Sequence, residues 1–247
     1  MPDSNQPIQI LLIDDDEISR EVMSLLLTAQ GHVVDAVESG KEALNHLQES
    51  PAKRPHAILI DLQMPGLSGA ELAHALRDAC AQGGTIPILV AMSGSLPDRA
   101  TLSSFDGFLP KPFTMQDFAN ALITRPAGAP IASETPATSA ASLDEAIYRK
   151  LSESLPQKQL HELYRMCLSD VEARTARMRA AGAGGDDATY RREAHAIKGG
   201  CGMVGAAELH SLAARMEAQG LGDANHVASL DEMLLLCERL RGILIAR

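Results

Sequence analysis

Short apolar runs alternate with amphipathic stretches over the first half of the chain. The strand-like runs are residues 8–13, 32–37, 57–60, 86–92 and 107–109. Apolar residues between them recur at helical spacing, as in Ile18, Val22, Leu25, Leu26 and Ala29. Alternating elements of this length predict right-handed crossovers and a parallel sheet covered by helices on both faces. We therefore expect a doubly wound α/β domain with five parallel strands.

The second half keeps the helical period and lacks strand-like runs. One apolar stripe begins at Leu160, a second runs from Leu209 to Met216, and a third runs from Val227 to Leu244. Gly- and Asp-containing breaks at 182–187 and 220–223 separate the stripes. This pattern predicts an all-α domain, an antiparallel four-helix bundle.

Residues 125–142 separate the two patterns. They lack apolar periodicity and contain three prolines, which disfavour a helix and favour extended backbone. We therefore predict one domain at 8–124, a flexible Pro/Ala/Ser linker at 125–142 and a second domain at 143–247.

The charge of the chain excludes one class of partner. The formal net charge is −10, and residues 1–125 hold 16 Asp and Glu against 8 Lys and Arg. Nucleic-acid binding requires clustered basic residues, so no nucleic-acid partner is expected.

The four cysteines and the lack of targeting signals indicate a compartment. The cysteines are widely spaced and form no Cys-x-x-Cys pair, which favours reduced thiols. The first residues do not resemble a signal peptide, and no apolar run is long enough to span a bilayer. We expect a cytoplasmic protein without membrane insertion.

Polar residues follow four of the predicted strands in the first half. Asp14 and Asp15 follow the first strand, Asp61 the third, Ser93 the fourth and Lys111 the fifth. The carboxyl ends of parallel strands lie at one rim of a doubly wound sheet, where ligands bind. Clustered carboxylates repel one another unless a cation lies among them, and an all-oxygen site suits Mg²⁺. The sequence therefore predicts an acidic Mg²⁺ pocket at this rim.

Each residue also has a simpler interpretation when taken alone. An acidic pair after a strand is often a helix N-cap, a role that Asp16 could fill, and Lys111-Pro112 could be an ordinary turn. The joint placement of four such groups at successive strand ends favours the pocket.

Residues 8–124 resemble a response-regulator receiver domain, a flavodoxin-like fold. The matching residues are Asp14-Asp15 with Arg20, the run from Asp61 to Gly69, Ser93, and Lys111-Pro112. The resemblance implies that Asp61 accepts a phosphoryl group, that Ser93 hydrogen-bonds the phosphoryl oxygens and that Lys111 pairs with the phosphoryl charge. It also implies Mg²⁺ held by Asp15, Asp61 and the main-chain carbonyl of Gln63, with Asp14 acting through water.

One departure from the family pattern concerns the fourth helix. Only 17 residues lie between Ser93 and Lys111, and they include Gly94, Pro97 and Gly107. We expect this helix to be short or distorted, which puts a standard dimerising face in doubt.

A second chemical feature is the run His195-Ala-Ile-Lys-Gly-Gly-Cys-Gly. Lys198 and Gly199 share a helical face with His195, and further glycines follow at 200, 202 and 205. A glycine costs a helix about 1 kcal/mol relative to alanine, so several together suggest close approach to the backbone. Gly205 is expected to end the helix. The small neighbours leave the imidazole open to another protein.

Residues 143–247 resemble a histidine phosphotransfer (HPt) domain through the motif His195-Ala-Ile-Lys198-Gly199 with Gly205. The resemblance implies that His195 carries a phosphoryl group on a ring nitrogen and exchanges it with receiver aspartates. Lys198 could pair with the phosphate. Arg191, Arg192 and Lys198 are expected to supply local positive charge.

Together these features predict a two-component phosphorelay intermediate. Its expected partners are a histidine kinase, of the hybrid type, and a downstream response regulator. The sequence contains no recognisable ATP-binding motif and leaves the oligomeric state open.

Three other functions remain possible from the sequence. The chain could be a phosphorylation-dependent binding module with an idle His195, or a phosphate sink that drains another pathway. It could also be a metal-dependent phosphohydrolase with Asp61 as nucleophile.

Overall fold

The computed structural model describes residues 7–49, 54–64, 66–67, 69–81, 86–94, 97–111, 113, 115–123 and 142–247. The chain forms two compact units, Met1–Ser133 and Glu134–Arg247. Apart from Ser142, the predicted linker lies outside the described residues. In the part of the chain that is described, no helix combines the length and the apolar character needed to cross a membrane.

The first unit is built on a five-stranded parallel sheet with strand order β2-β1-β3-β4-β5. The strands are β1 (Gln9–Ile13), β2 (Val33–Val37), β3 (Ala57–Asp61), β4 (Ile88–Ser93) and β5 (Gly107–Pro110). This confirms the predicted fold class. β4 begins two residues later than the sequence suggested, because the ladder starts at the Ile88 N–H and Pro87 has none to donate.

Five helices cover the sheet: α1 (Glu17–Ala29), α2 (Gly40–Glu49), α3 (Gly69–Ala81), α4 (Arg99–Leu102) and α5 (Met115–Ile123). Alternate strand residues such as Leu11, Ile58 and Leu89 share one buried cluster with apolar residues of α2 and α3. The intervening strand residues are also buried, as expected for a sheet covered on both faces. The sheet is thus a rigid base for the residues at its carboxyl rim.

The fourth helix is short, as the sequence predicted. α4 has only four residues and is capped by Asp98, whose side chain accepts a hydrogen bond of 2.7 Å from the Thr101 N–H. So short a helix offers little of the surface that a full helix would present.

The described residues of the second unit form helices joined by short turns, with no strand among them. Its elements are α6 (Glu145–Ser154), α7 (Gln157–Gly184), α8 (Asp187–Met203), α9 (Ala207–Gln219), a short 3-10 turn (Gly220–Gly222) and α10 (His226–Ile245). The last four α-helices form the bundle through the pairs α7–α8, α8–α9, α9–α10 and α10–α7. The break between α7 and α8 is shorter than the expected 182–187. α7 continues to Gly184, and Gly185 caps it in the left-handed conformation.

Gly205 ends α8 and anchors α6. Its φ of 73° is left-handed, and Ala206 donates from its backbone N–H to the Cys201 carbonyl across the turn, as in a Schellman motif. The Gly205 carbonyl accepts a 2.7 Å hydrogen bond from the Asp144 N–H just before α6. The predicted role of Gly205 as a helix terminator is confirmed.

Gly205→Ala should destabilise the bundle by about 2–3 kcal/mol, because the new Cβ adds left-handed backbone strain to a steric overlap. That Cβ would lie 2.9 Å from the Ile147 Cβ. Gly185→Ala is the matched control, since its φ is 72° and its Cβ would meet nothing within 4 Å. Urea unfolding of both variants measures the difference. Equal losses would show that the Ile147 contact costs nothing.

Candidate functional site

The sheet brings the predicted pocket residues to one rim. Asp14 follows β1, and Ile13 of that strand lies in register with Ile60, the residue before Asp61. Ser93 closes β4 and lies in register with Pro110, the residue before Lys111. The Lys111 N–H donates to the Ser93 carbonyl at 2.8 Å, which extends this ladder to the rim.

Three carboxylates cluster at this rim. One side-chain oxygen each of Asp14, Asp15 and Asp61 lies within 4.8 Å of the others. Asp14 and Asp61 are buried, whereas Asp15 is exposed. The cluster is therefore open on one side, where a ligand could enter.

Lys111 supplies the opposite charge. Its Nζ lies 2.6 Å from Asp14 Oδ2 and 2.9 Å from Asp61 Oδ2. Burial lowers the pKa of Lys111, but the attraction of Asp14 and Asp61 outweighs it and leaves the pKa above its ordinary value. Lys111 is thus a fixed cation that contacts Asp61 directly.

One ammonium group does not neutralise this pocket. Burial is the main cause that raises the pKa of Asp14 to about 7; Lys111 opposes the rise and Asp61 adds to it. Burial and the charge of Asp61 also raise the pKa of Asp15. A bound divalent cation would supply the missing positive charge, and the side-chain atoms that could bind it are all oxygens. The residues present therefore fit a Mg²⁺ ion.

Backbone hydrogen bonds orient the carboxylates. Asp61 Oδ1 accepts from the Gln63 N–H at 3.0 Å, and Asp14 Oδ1 accepts from the Asp16 N–H at 2.9 Å. Arg20 holds the same loop by donating to the Asp14 carbonyl at 2.6 Å. Asp16 itself caps α1, accepting from the Ser19 N–H, so the simpler interpretation is right for Asp16.

The second candidate site lies in the helical unit, on α8. The His195 Nδ1 is 2.7 Å from Glu217 Oε1, and Lys198 Nζ donates to Glu217 Oε2 at 2.6 Å. Burial raises the pKa of Glu217, but hydrogen bonds from Lys198 and then His195 overcome this and lower it. Glu217 is therefore an ionised carboxylate that binds both residues of the motif.

This contact fixes the chemistry of the imidazole. An ionised carboxylate can only accept, so Nδ1 carries the hydrogen and the neutral ring has its lone pair on Nε2. The His195 side chain keeps 27% of its surface exposed, and Gly199 beside it is half-buried. Nε2 is thus the ring atom with a lone pair available for attack, on a histidine that is partly exposed.

The structure adds partners that the sequence did not indicate. Arg191, which was expected to supply local positive charge, binds main-chain carbonyls of α9 through its guanidinium. Lys198 is paired with Glu217, and its pairing with phosphate stays a prediction. Sequence reasoning missed Glu217, which lies 22 residues from His195 on another helix. The only signal for it is its place beside the apolar stripe of α9, next to Met216.

Two family models match the chain. Residues 10–123 match the response regulator receiver domain, and residues 162–243 match the Hpt domain. The chain therefore carries a receiver domain followed by an Hpt domain, the arrangement of a two-component phosphorelay protein.

The curated relatives resemble the first unit. The response regulator MprA of Mycolicibacterium vanbaalenii is 34% identical over 114 residues, which are 45% of this chain and 47% of that protein. MprA of Mycobacterium tuberculosis is 34% identical over 113 residues, 44% and 46% of the two chains. The chain thus spans about half the length of the curated relatives it matches.

Solved receiver structures are also similar. One is the receiver domain of the Arabidopsis thaliana histidine kinase CKI1 complexed with Mg²⁺ and BeF₃⁻, at 28% identity and a TM-score of 0.41, covering 47% of this chain and 87% of that chain. Another comes from the Saccharomyces cerevisiae complex of Ypd1 with the receiver domain of Ssk1, at 26% identity and a TM-score of 0.41, covering 47% and 86%.

Proposed function

We propose that this chain is a phosphorelay intermediate in which Asp61 and His195 each carry a phosphoryl group. One observation carries the proposal: the Glu217 carboxylate holds Nδ1 of His195, which leaves Nε2 as a nucleophile on a partly exposed ring. An idle surface histidine would need no such partner. The match to receiver and Hpt families supports the same function.

In the receiver, Asp61 is the acceptor. A carboxylate oxygen of Asp61 attacks phosphorus, and the bond between phosphorus and the leaving group of the donor breaks. Lys111, which forms salt bridges with Asp14 and Asp61 in the structure, would pair with the negative charge of the added phosphoryl group. The buried Ser93 at the end of β4 would donate a hydrogen bond to a phosphoryl oxygen. Bound Mg²⁺, held by Asp15, Asp61 and the Gln63 carbonyl, with Asp14 acting through water, would neutralise charge on the transferring group.

In the bundle, His195 is the acceptor or donor. Its Nε2 lone pair attacks the phosphorus of an aspartyl phosphate, and the carboxylate leaves with the electrons of the broken P–O bond. The ring becomes positively charged while Nδ1 keeps its hydrogen. Glu217 lies 2.7 Å from that nitrogen and stabilises the charge that develops there. The reverse reaction uses the same contacts.

The proposal defines the partners. The upstream partner is a histidine kinase of the hybrid type, which uses ATP, and the downstream partner is a response regulator with its own acceptor aspartate. The cytoplasm is the proposed location, and the four cysteines support it. All four are free and buried, as in proteins of a reducing compartment.

Exchange between Asp61 and His195 tests the proposal. The full chain is phosphorylated with acetyl phosphate and Mg²⁺ at several protein concentrations, and acid-labile phosphohistidine is measured. We expect phosphohistidine to form at a concentration-independent rate and to be lost in both Asp61→Asn and His195→Gln.

The other outcomes are equally informative. A rate proportional to concentration indicates exchange between molecules. If neither the chain's own Asp61 nor any other phosphorylated receiver delivers phosphate to His195, the relay proposal is wrong and the chain is better regarded as a binding module.

A further inference from the structure

The side chains of one polar stripe of α8 bind the end of α9. Asp187, Arg191, His195 and Lys198 lie at successive steps of four, four and three residues, so they share a helical face. Among the described residues, the hydrogen-bond partners that these four side chains have beyond α8 lie at positions 217–221. Asp187 and Arg191 therefore bind the same stretch of chain at the end of α9 as His195 and Lys198 do.

Arg191 occupies the carbonyl end of α9. Its Nη1 donates to the Glu217 carbonyl at 2.6 Å and to the Ala218 carbonyl at 2.8 Å, and its Nη2 donates to the Gln219 carbonyl at 3.0 Å. The last carbonyls of a helix have no partner within the helix, and a cation is favourable there. A single guanidinium thus satisfies three of them.

Asp187 holds the guanidinium and the chain beyond α9. Its Oδ2 accepts from Arg191 Nε at 2.6 Å, and its Oδ1 accepts from the Leu221 N–H at 2.6 Å. The hydrogen bond from Leu221 and then the one from Arg191 lower the pKa of Asp187, which keeps it ionised. The Asp187 carboxylate therefore binds both Arg191 on its own helix and the turn that follows α9.

Gly220 makes this arrangement possible. Its φ of 60° and ψ of −153° lie in a region that only glycine populates readily. A Cβ at this position would overlap Asp187 Oδ1 and the Arg191 guanidinium. The close approach thus needs both the conformation and the missing side chain.

Glu217 connects Arg191 to His195, the residue proposed to carry the phosphoryl group. Arg191 binds its main-chain carbonyl, while its side chain binds His195 and Lys198. Glu217 is third from the end of α9, in a turn that frays when its carbonyls are unpaired. We propose that Asp187 and Arg191 are positioning residues for His195, which act through the last turn of α9 and the Glu217 carboxylate. This inference rests on the proposed function of His195.

The test compares Arg191→Met with the wild-type full chain by ¹⁵N NMR of the histidine side chains, below the melting temperature of both. The His195 signals are assigned by their loss in His195→Gln. We expect the Nδ1-protonated tautomer in the wild type and a shift towards the Nε2-protonated form in Arg191→Met. Phosphoryl transfer to His195 from a phosphorylated receiver should fall at least about tenfold, since a misplacement near 1 Å can cost about 100-fold.

Two further variants test whether the effect of Arg191→Met comes from lost positioning of His195, from the lost charge or from a general loss of stability. Gly220→Ala keeps Arg191 but displaces it, so the same tautomer shift and slower transfer are expected. Arg179→Met removes an ion pair between α7 and α10, in which Arg179 Nη2 lies 2.7 Å from Asp231, and should leave both readouts at wild-type values.

Two results would overturn the inference. One is a wild-type tautomer in both Arg191→Met and Gly220→Ala. The other is slower transfer in Arg191→Met with an unchanged tautomer, which would assign Arg191 to partner docking. If the wild-type chain accepts no phosphoryl group, the proposed function fails, while the tautomer comparison still decides whether Arg191 positions His195.

Discussion

Asp61→Asn should abolish labelling of the receiver by acetyl phosphate. The side-chain amide of asparagine is a poor nucleophile, yet it has nearly the size of aspartate and can still accept from the Gln63 N–H at the position of Oδ1. The measurement uses the full chain in a His195→Gln background, so that the label reports aspartyl phosphate alone. That label should be stable to acid and labile to base.

The role of the metal is tested in the same assay. Chelation should suppress the label, because the three carboxylates with a single lysine leave the pocket short of positive charge. Asp35→Asn is the matched control, since Asp35 lies on β2 and pairs with Gln9 and His46 outside the pocket. Labelling that survives both Asp61→Asn and chelation would contradict the assignment of the pocket.

Gly199→Leu should lower phosphoryl transfer to His195 by about 100-fold or more. Gly199 follows His195 by one helical turn and is half-buried, so a leucine there would occupy the space beside the imidazole that a docking receiver needs. A misplacement of about 1 Å has an effect of this size in a positioned reaction. Helicity and melting temperature should stay near wild type or rise, because leucine is a better helix former than glycine.

The control for this prediction is Gly242→Leu. Gly242 lies in α10, and a Cβ there would meet nothing within 4 Å. It should gain the same helix propensity and keep normal transfer. Normal transfer by Gly199→Leu as well would mean that the glycine beside His195 serves only the structure.

The receiver pocket could be predicted from the sequence because the parallel direction of the strands decides where their carboxyl ends lie. Asp14, Asp61, Ser93 and Lys111 each follow a buried strand, and a parallel sheet brings all of those ends to one rim. The salt bridges of Lys111 with both Asp14 and Asp61 are observed, whereas the chemical roles assigned to these residues, as to Asp15, Ser93 and Gln63, stay predictions. Boundaries were less accurate where a proline removes a donor, as Pro87 does before β4.

The partners of His195 could not be predicted in the same way. Periodicity shows which face of a helix is apolar, but it does not show which residue of another helix meets a given polar side chain. Glu217 and Arg191 look like ordinary surface charges in the sequence. Their contacts depend on the turn at Gly205, which joins α8 to α9, and on the close approach that Gly220 allows. Both glycines have a positive φ, which the pattern of apolar residues does not specify.

An ion pair joins the start of α6 to Arg247, which follows α10. Glu145, at the start of α6, forms an ion pair with Arg247, whose guanidinium also lies 4.6 Å from the centre of the Tyr148 ring. The Asp144 N–H, one residue before Glu145, donates to the Gly205 carbonyl at 2.7 Å. The start of α6 is thus braced at two points, one in the turn after α8 and one after α10, although α6 is not part of the four-helix bundle.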